Sequence, residues 1–445
     1  MKEKILHETY KFFRESNDFN GISLTELAKK VGISYIEIFP YMEGLINEDF
    51  VSIQAGENPH IIRMAHYPKD KQLECLKEAE QNKTEVIKTI EPKGFDVEFN
   101  PIVLVSQSHS RCIYPSPKYL EQTLITAEYD KTPFTKRIAY GEAQLTPVFF
   151  EIDVLERYSS DPRYRFSFED YSGEISINET SDKPSELKET DQIFLKTFGL
   201  GYDNEENRVA VAYLRYLSDM SSEHQLYWYS KMVETKCKMV KEYFNNTIIG
   251  DWVFSQSLFA AVIEEQILIN KMCKLIIEKP LFRETFKDEK RPKEFTFFNS
   301  PTLVNYEKFI TVLDKMLSDN INKSFFKGDI EEYDIETISE GVVERKPKGT
   351  LRLLEEWLRQ NYTLHDENGY ETLMAPFKEV RKERQKPAHK ISQNYYDKAL
   401  FKKQMDLLSK VYHSLLNLRY IFHQHRKAKQ VQIPKWLEKG EIKHF

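Results

Sequence analysis

From residue 205 to residue 428 the apolar positions recur at helical spacing almost without interruption, and this constrains the chain more than any other feature. The spacing predicts helices over 207–220, 222–245, 257–277, 303–322, 350–361, 370–385 and 395–427. Stripes of this kind must be buried against one another, so this half of the chain is expected to be a helical bundle. A single acidic connector interrupts it: Asp329, Glu331, Glu332, Asp334, Glu336, Glu340 and Glu344 lie between the fourth and fifth helices, a pattern that suits a solvated loop or an edge hairpin.

The front half has a different periodicity. Residues 1–55 read as helix, helix, turn, helix and a short strand. Ser23 followed by Glu26 is a capping box, and Gly32 supplies the turn. Ser34 then opens a third helix, with Pro40 inside it as a source of bending, and 50–53 form the wing. The spacing is similar to that of a winged helix-turn-helix. Its third helix carries Glu37, Glu43, Glu48 and Asp49 and no Lys or Arg, which argues against base reading and for contact with a protein partner. Residues 56–195 form a mixed, β-containing middle module, with a helix over 69–81 and β-rich segments over 97–106, 134–140, 148–154 and 164–178. The last of these is expected to turn at Ser172-Gly173, and 181–189 is expected to be a linker. The fold class expected is therefore α+β, mostly α: a winged helix over 1–55, a middle module over 56–195, a helical region over 196–300 and a bundle over 301–445.

Charge limits the partners. The 64 Lys and Arg against 70 Asp and Glu give a net −6, so any nucleic-acid contact must come from a local patch. Cys75, Cys112, Cys237 and Cys273 are scattered without ligand spacing, so neither a metal site, a cofactor nor a disulfide framework is expected. The longest apolar candidate, 259–277, is interrupted by Glu264, Glu265, Lys271 and Lys274, and 1–16 mixes charge with apolar residues. No membrane association and a cytoplasmic location are expected.

The chemistry concentrates near the end of the sixth helix, in Phe377–His389 (FKEVRKERQKPAH). Arg384 and His389 are separated by four residues, and Pro387 between them must kink or stop the helix. Arg384…His389 resembles the R-x(4–6)-H motif of HEPN ribonucleases, with Gln385 at the polar position after the Arg. The same loose pattern occurs at Arg359…His365 and Arg419…His425. Only the Arg384 match sits at the junction of the last two helices; Arg419 is expected simply to be a cation suited to a helix C-terminus. The resemblance covers roughly residues 300–428. It implies a metal-independent endoribonuclease, of the sort used in toxin and defence roles, that works as a homodimer through this domain. Arg384 and His389 would be the catalytic residues. Arg381, Lys382, Lys386, Lys390, Tyr395 and Tyr396 are expected to bind RNA, through phosphate contacts and base stacking. The alternative is a winged-helix regulatory or scaffold protein whose helical half only dimerises or binds RNA or a partner.

Overall fold

A computed structural model describes residues 1–16, 19–55, 58–61, 67–81, 111–124, 126–179, 187–251, 256–287, 290–339, 342–364, 366, 368–388 and 393–445. The protein is mixed α+β and about 52% helical, so most of the chain's backbone hydrogen bonding is local. Its contacts divide into two compact units. One comprises 1–151, 175–198 and 210–236; the other comprises 152–174, 199–209 and 237–445.

The first unit begins with α1 (Lys2–Glu15), whose Ile5, Thr9 and Phe13 make one buried stripe at four-residue spacing. β1 (Ile22–Ser23) leads into α2 (Leu24–Val31). As expected, Ser23 caps it by accepting the Glu26 N–H at 3.2 Å, and Gly32 ends it in the left-handed region at φ 78°. α3 (Phe39–Asn47) starts later than the sequence suggests. Ser34 and Glu37 instead close a separate turn, the Ser34 N–H donating to Glu37 at 2.8 Å. Pro40 falls in the first turn of α3, where no N–H is required, so it initiates the helix and does not bend it. β2 (Val51–Ala55) and α4 (Lys69–Gln81) follow, and β3 (Arg111–Pro115) returns between the other strands in the order β1-β3-β2. Both pairings are antiparallel, and their register aligns Ile22, Ile113 and Ile53. All three are fully buried with Leu24, Leu27, Met42 and Leu45. The third strand thus comes from well beyond residue 55.

α5 (Pro117–Thr123) and α6 (Pro133–Ala139) come next. Strand was expected over 134–140, but Pro133 starts a helix there and Phe134 and Ile138 share its buried face. Then come β4 (Pro147–Glu151), α7 (Glu156–Ser159), β5 (Tyr164–Glu169), β6 (Ser172–Ile177), β7 (Phe194–Tyr202), β8 (Arg208–Tyr213), α8 (Leu214–Ser218), α9 (Ser222–Ser230), β9 (Lys238–Met239) and α10 (Lys241–Phe244). The strands are ordered β4-β8-β7-β6-β5, with β9 on β7. The reversal between β5 and β6 is made by Asp170 and Tyr171, Asp170 at φ 61°, two residues before the expected turn. The helix expected over 207–220 is a strand for its first half. Val209–Tyr213 is a buried apolar run, which fits a fully covered strand as well as a helix. The helix expected over 222–245 ends at Ser230. The expected strand over 97–106 and most of the expected linker lie outside the described residues.

The second unit holds the long helices. α11 (Leu258–Ile277) is capped by Ser257, and α12 (Leu303–Met316) by Thr302. The helix expected to reach 322 stops at Met316, after which Ser318–Asn320 winds more tightly. The acidic connector is a hairpin of β10 (Tyr333–Ser339) and β11 (Val342–Pro347), pairing Tyr333 with Pro347 and Ile335 with Arg345. α13 (Thr350–Asn361), α14 (Asn368–Ala388), α15 (Ala399–His423) and α16 (Lys435–Glu438) complete it. α15 packs on α11, and α14 packs on α12, α13 and α15. Pro387 lies within α14, which is described as far as Ala388; residues 389–392 lie outside the described residues. Among the described residues no helix is long and apolar enough to cross a membrane.

Candidate functional site

Arg381 and Arg384 are three residues apart and therefore share a face of α14. That face meets the end of α12, where the early stop of the helix sets Asp319 beside Asp314. Arg384 Nη1 donates to Asp314 Oδ2 at 2.5 Å and to Asp319 Oδ2 at 2.6 Å. Arg381 Nη1 donates to the same Asp314 oxygen at 2.8 Å and to Asp319 Oδ1 at 2.7 Å. Asp314 is fully buried and also accepts from the Ser318 hydroxyl, whereas Arg384 remains 32% exposed. Partial burial works against the Asp319 charge, but the hydrogen bonds from Arg381 and Arg384 outweigh it and hold the carboxyl below its usual range. The same bonds to Asp314 and Asp319 push the Arg384 guanidinium up, so it stays charged.

The other expected site residues are only partly gathered here. His389 and Lys390 lie outside the described residues. Lys382 is exposed on α14 and makes no ion pair among the described residues, while Lys386 pairs with Glu383, which also holds Lys403 at 2.8 Å. Tyr395 and Tyr396 expose half or more of their surface, at 50% and 59%. Their backbone is pinned to the start of α12: the Leu303 N–H donates to the Tyr395 carbonyl at 3.0 Å, and Tyr396 bridges to Thr302. The tyrosines and the arginine clamp thus sit at opposite ends of α12, about eleven residues and roughly 16 Å apart along the axis.

Two features were not anticipated from the sequence. One is the Asp314–Asp319 pair, although Asp314 occupies the i+4 position after buried Ile310 on an apolar stripe, which is a legible signal. The other is Arg419. It was expected to be an exposed cation near a helix end, but it lies on the buried stripe of α15 after Leu415 and faces α11. Its Nε donates to Glu265 Oε2 at 2.6 Å, with the two side chains 1% and 0% exposed. Among the described residues Glu265 Oε1 and both Arg419 terminal nitrogens have no hydrogen-bond partner. Burial pushes the Glu265 carboxyl up to about 7, against the opposing pull of Arg419. Arg359, of the remaining match to the motif, pairs with Glu355 at 3.0 Å, and His365 is outside the described residues.

Among the described residues no group of three or more His, Cys, Asp or Glu is placed to hold a metal ion, and all four cysteines are free. Compared with known proteins, the chain matches no family model, no curated protein and no solved structure.

Proposed function

We propose that the chain is a metal-independent endoribonuclease of the HEPN kind, with Arg384 and His389 as its reacting pair and RNA held along the surface of α12, α14 and α15. The observation that carries this reading is how Arg384 is fixed. One guanidinium nitrogen is tied to two carboxylates, one of them buried, while Nε and Nη2 make no other hydrogen bond among the described residues. Such a guanidinium presents its free N–H edge in a set orientation, and arginine grips a phosphate through two parallel hydrogen bonds.

In the reaction, a histidine takes the proton of a 2′-OH, the oxygen attacks the adjacent phosphorus, and the bond to the 5′-oxygen breaks. An acid then protonates that leaving oxygen. Arg384 would stabilise the charge building on the phosphate. One chain supplies one His389, and the step needs a base and an acid, so a second copy joined through the helical domain completes the site. Lys382, Lys386 and Lys390 would hold flanking phosphates, and Tyr395 and Tyr396 would stack bases. A toxin or defence role follows from the same reading, with the winged-helix-like front end recruiting a protein partner.

A second reading is favoured by one observation: the charges of Arg381 and Arg384 are matched by Asp314 and Asp319. On that reading the four residues simply clamp α12 to α14 in a regulatory or scaffold protein. Incubating the purified protein with total RNA in EDTA separates the two. The nuclease reading predicts fragments ending in 2′,3′-cyclic phosphate. Cleavage lost in EDTA and restored by Mg²⁺ contradicts the mechanism. Intact RNA under all conditions, with a lowered melting temperature for Arg384→Ala, supports the clamp.

A further inference from the structure

We propose that the cleft in front of α13 binds a small free oligophosphate of two or three linked phosphate groups. The cleft has a volume of about 500 Å³, within the range of small-molecule sites. It lies between the start of α13, Ser318 and the facing side of α14. Arg352, Arg359, Lys378 and Arg381 line it, against Glu355 and Glu356, so the walls carry two positive charges in excess.

These cations keep donors in reserve. Arg352 gives Nε to Glu356 and Nη1 to Asp334, Arg359 gives only Nη2 to Glu355, and Arg381 gives only Nη1 to its two carboxylates. The remaining guanidinium nitrogens make no other hydrogen bond among the described residues. Lys378 pairs with Glu355 at 2.6 Å, but half of the lysine side chain is exposed. The Glu355 side chain is only 16% exposed and is shared by Lys378 and Arg359, so a multiply charged anion competes with this one carboxylate for both cations. The start of α13 adds further donors: no side chain caps it, and its first backbone bond runs from the Leu353 N–H to the Gly349 carbonyl at 3.0 Å. The N–H groups of Thr350, Leu351 and Arg352 therefore point out of the helix.

The shape of this donor array selects the ligand. Arg352 and Arg359 are two turns apart on α13, roughly 10 Å along the axis. One carboxylate or a single phosphate cannot reach both ends, whereas a short chain of phosphates can. Among the described residues lining the cleft there is no aromatic ring to hold a nucleobase, so the phosphate groups themselves are what is recognised.

The test is calorimetric titration of the full-length protein with sodium tripolyphosphate at fixed ionic strength. One saturable event per chain is expected. Arg359→Ala and Lys378→Ala should each weaken it by about tenfold, the worth of one charge-assisted hydrogen bond. Glu355→Gln should tighten it, because it removes the competing carboxylate and needs no lost contact to be read. Lys429→Ala, an exposed lysine outside the cleft, should leave it unchanged. No saturable binding, or equal weakening by Lys429→Ala and Lys378→Ala, overturns the proposal. So does weaker binding by a folded Glu355→Gln protein.

Discussion

Arg384 uses one nitrogen for its two carboxylates, and that division of labour makes a specific substitution informative. Lysine at 384 keeps a positive charge near Asp314 and Asp319, and Arg381 still bonds to both. Arg384→Lys should therefore change stability by only about 1 kcal/mol, since neither carboxylate loses its last cation. The ammonium cannot hold a carboxylate pair and also grip a phosphate with two parallel donors, so RNA cleavage should fall by about 10²-fold or more. Chemical denaturation and a cleavage time course read the two effects separately. Retained cleavage would remove Arg384 from the chemistry. At this scale the sequence marks an arginine followed by a proline-broken helix end, but it cannot show that the arginine's charge is shared with α12. That fact depends on α12 stopping at Met316 and turning Asp319 back beside Asp314.

At the scale of elements, the strongest prediction concerns the contact of α11 with α15. Removing Arg419 leaves Glu265 buried without its partner, and such losses cost about 3–5 kcal/mol. Arg419→Ala should accordingly melt well below the wild type, with the deficit larger at pH 8 than at pH 6, where Glu265 can take up a proton. The wild type carries a milder form of the same dependence. Its Glu265 carboxyl is raised to about 7 from the ordinary 4.5, so the folded state binds that proton more tightly than the unfolded chain. The stabilisation is complete below the ordinary value and is lost as pH rises through 7, on the order of 3 kcal/mol. Glu265→Gln should flatten this part of the stability profile. An unchanged pH slope in that variant would mean that Glu265 is already ionised in the fold. Elements were legible where one signal stood alone: the helix over 350–361 falls where its stripe predicts, and the short charged helix expected over 69–81 has those bounds. They were misread where a short apolar run satisfies both periods, as in Val209–Tyr213, or where proline starts a helix inside a β-prone segment, as at Pro133.

For the whole molecule, the net charge of −6 means that any RNA bound would have to be held by a local surface, and the proposed reaction needs two histidines from two chains. Cleavage should therefore fall faster than linearly as the protein is diluted through its dimer dissociation range, and rising salt should weaken RNA binding. A rate strictly proportional to concentration, from a protein that sediments as a monomer, would require the acid to come from the same chain. The mixed helical and β architecture follows from the sequence pattern. The return of β3 to pair with β1 and β2 does not, because long-range strand pairing leaves no local trace in composition. The central claim is tested most directly by the single-turnover cleavage rate of His389→Ala beside the wild type in EDTA. Loss of a general acid–base group predicts a fall of about 10²–10⁴-fold at an unchanged melting temperature. Cleavage by His389→Ala at the wild-type rate would contradict it.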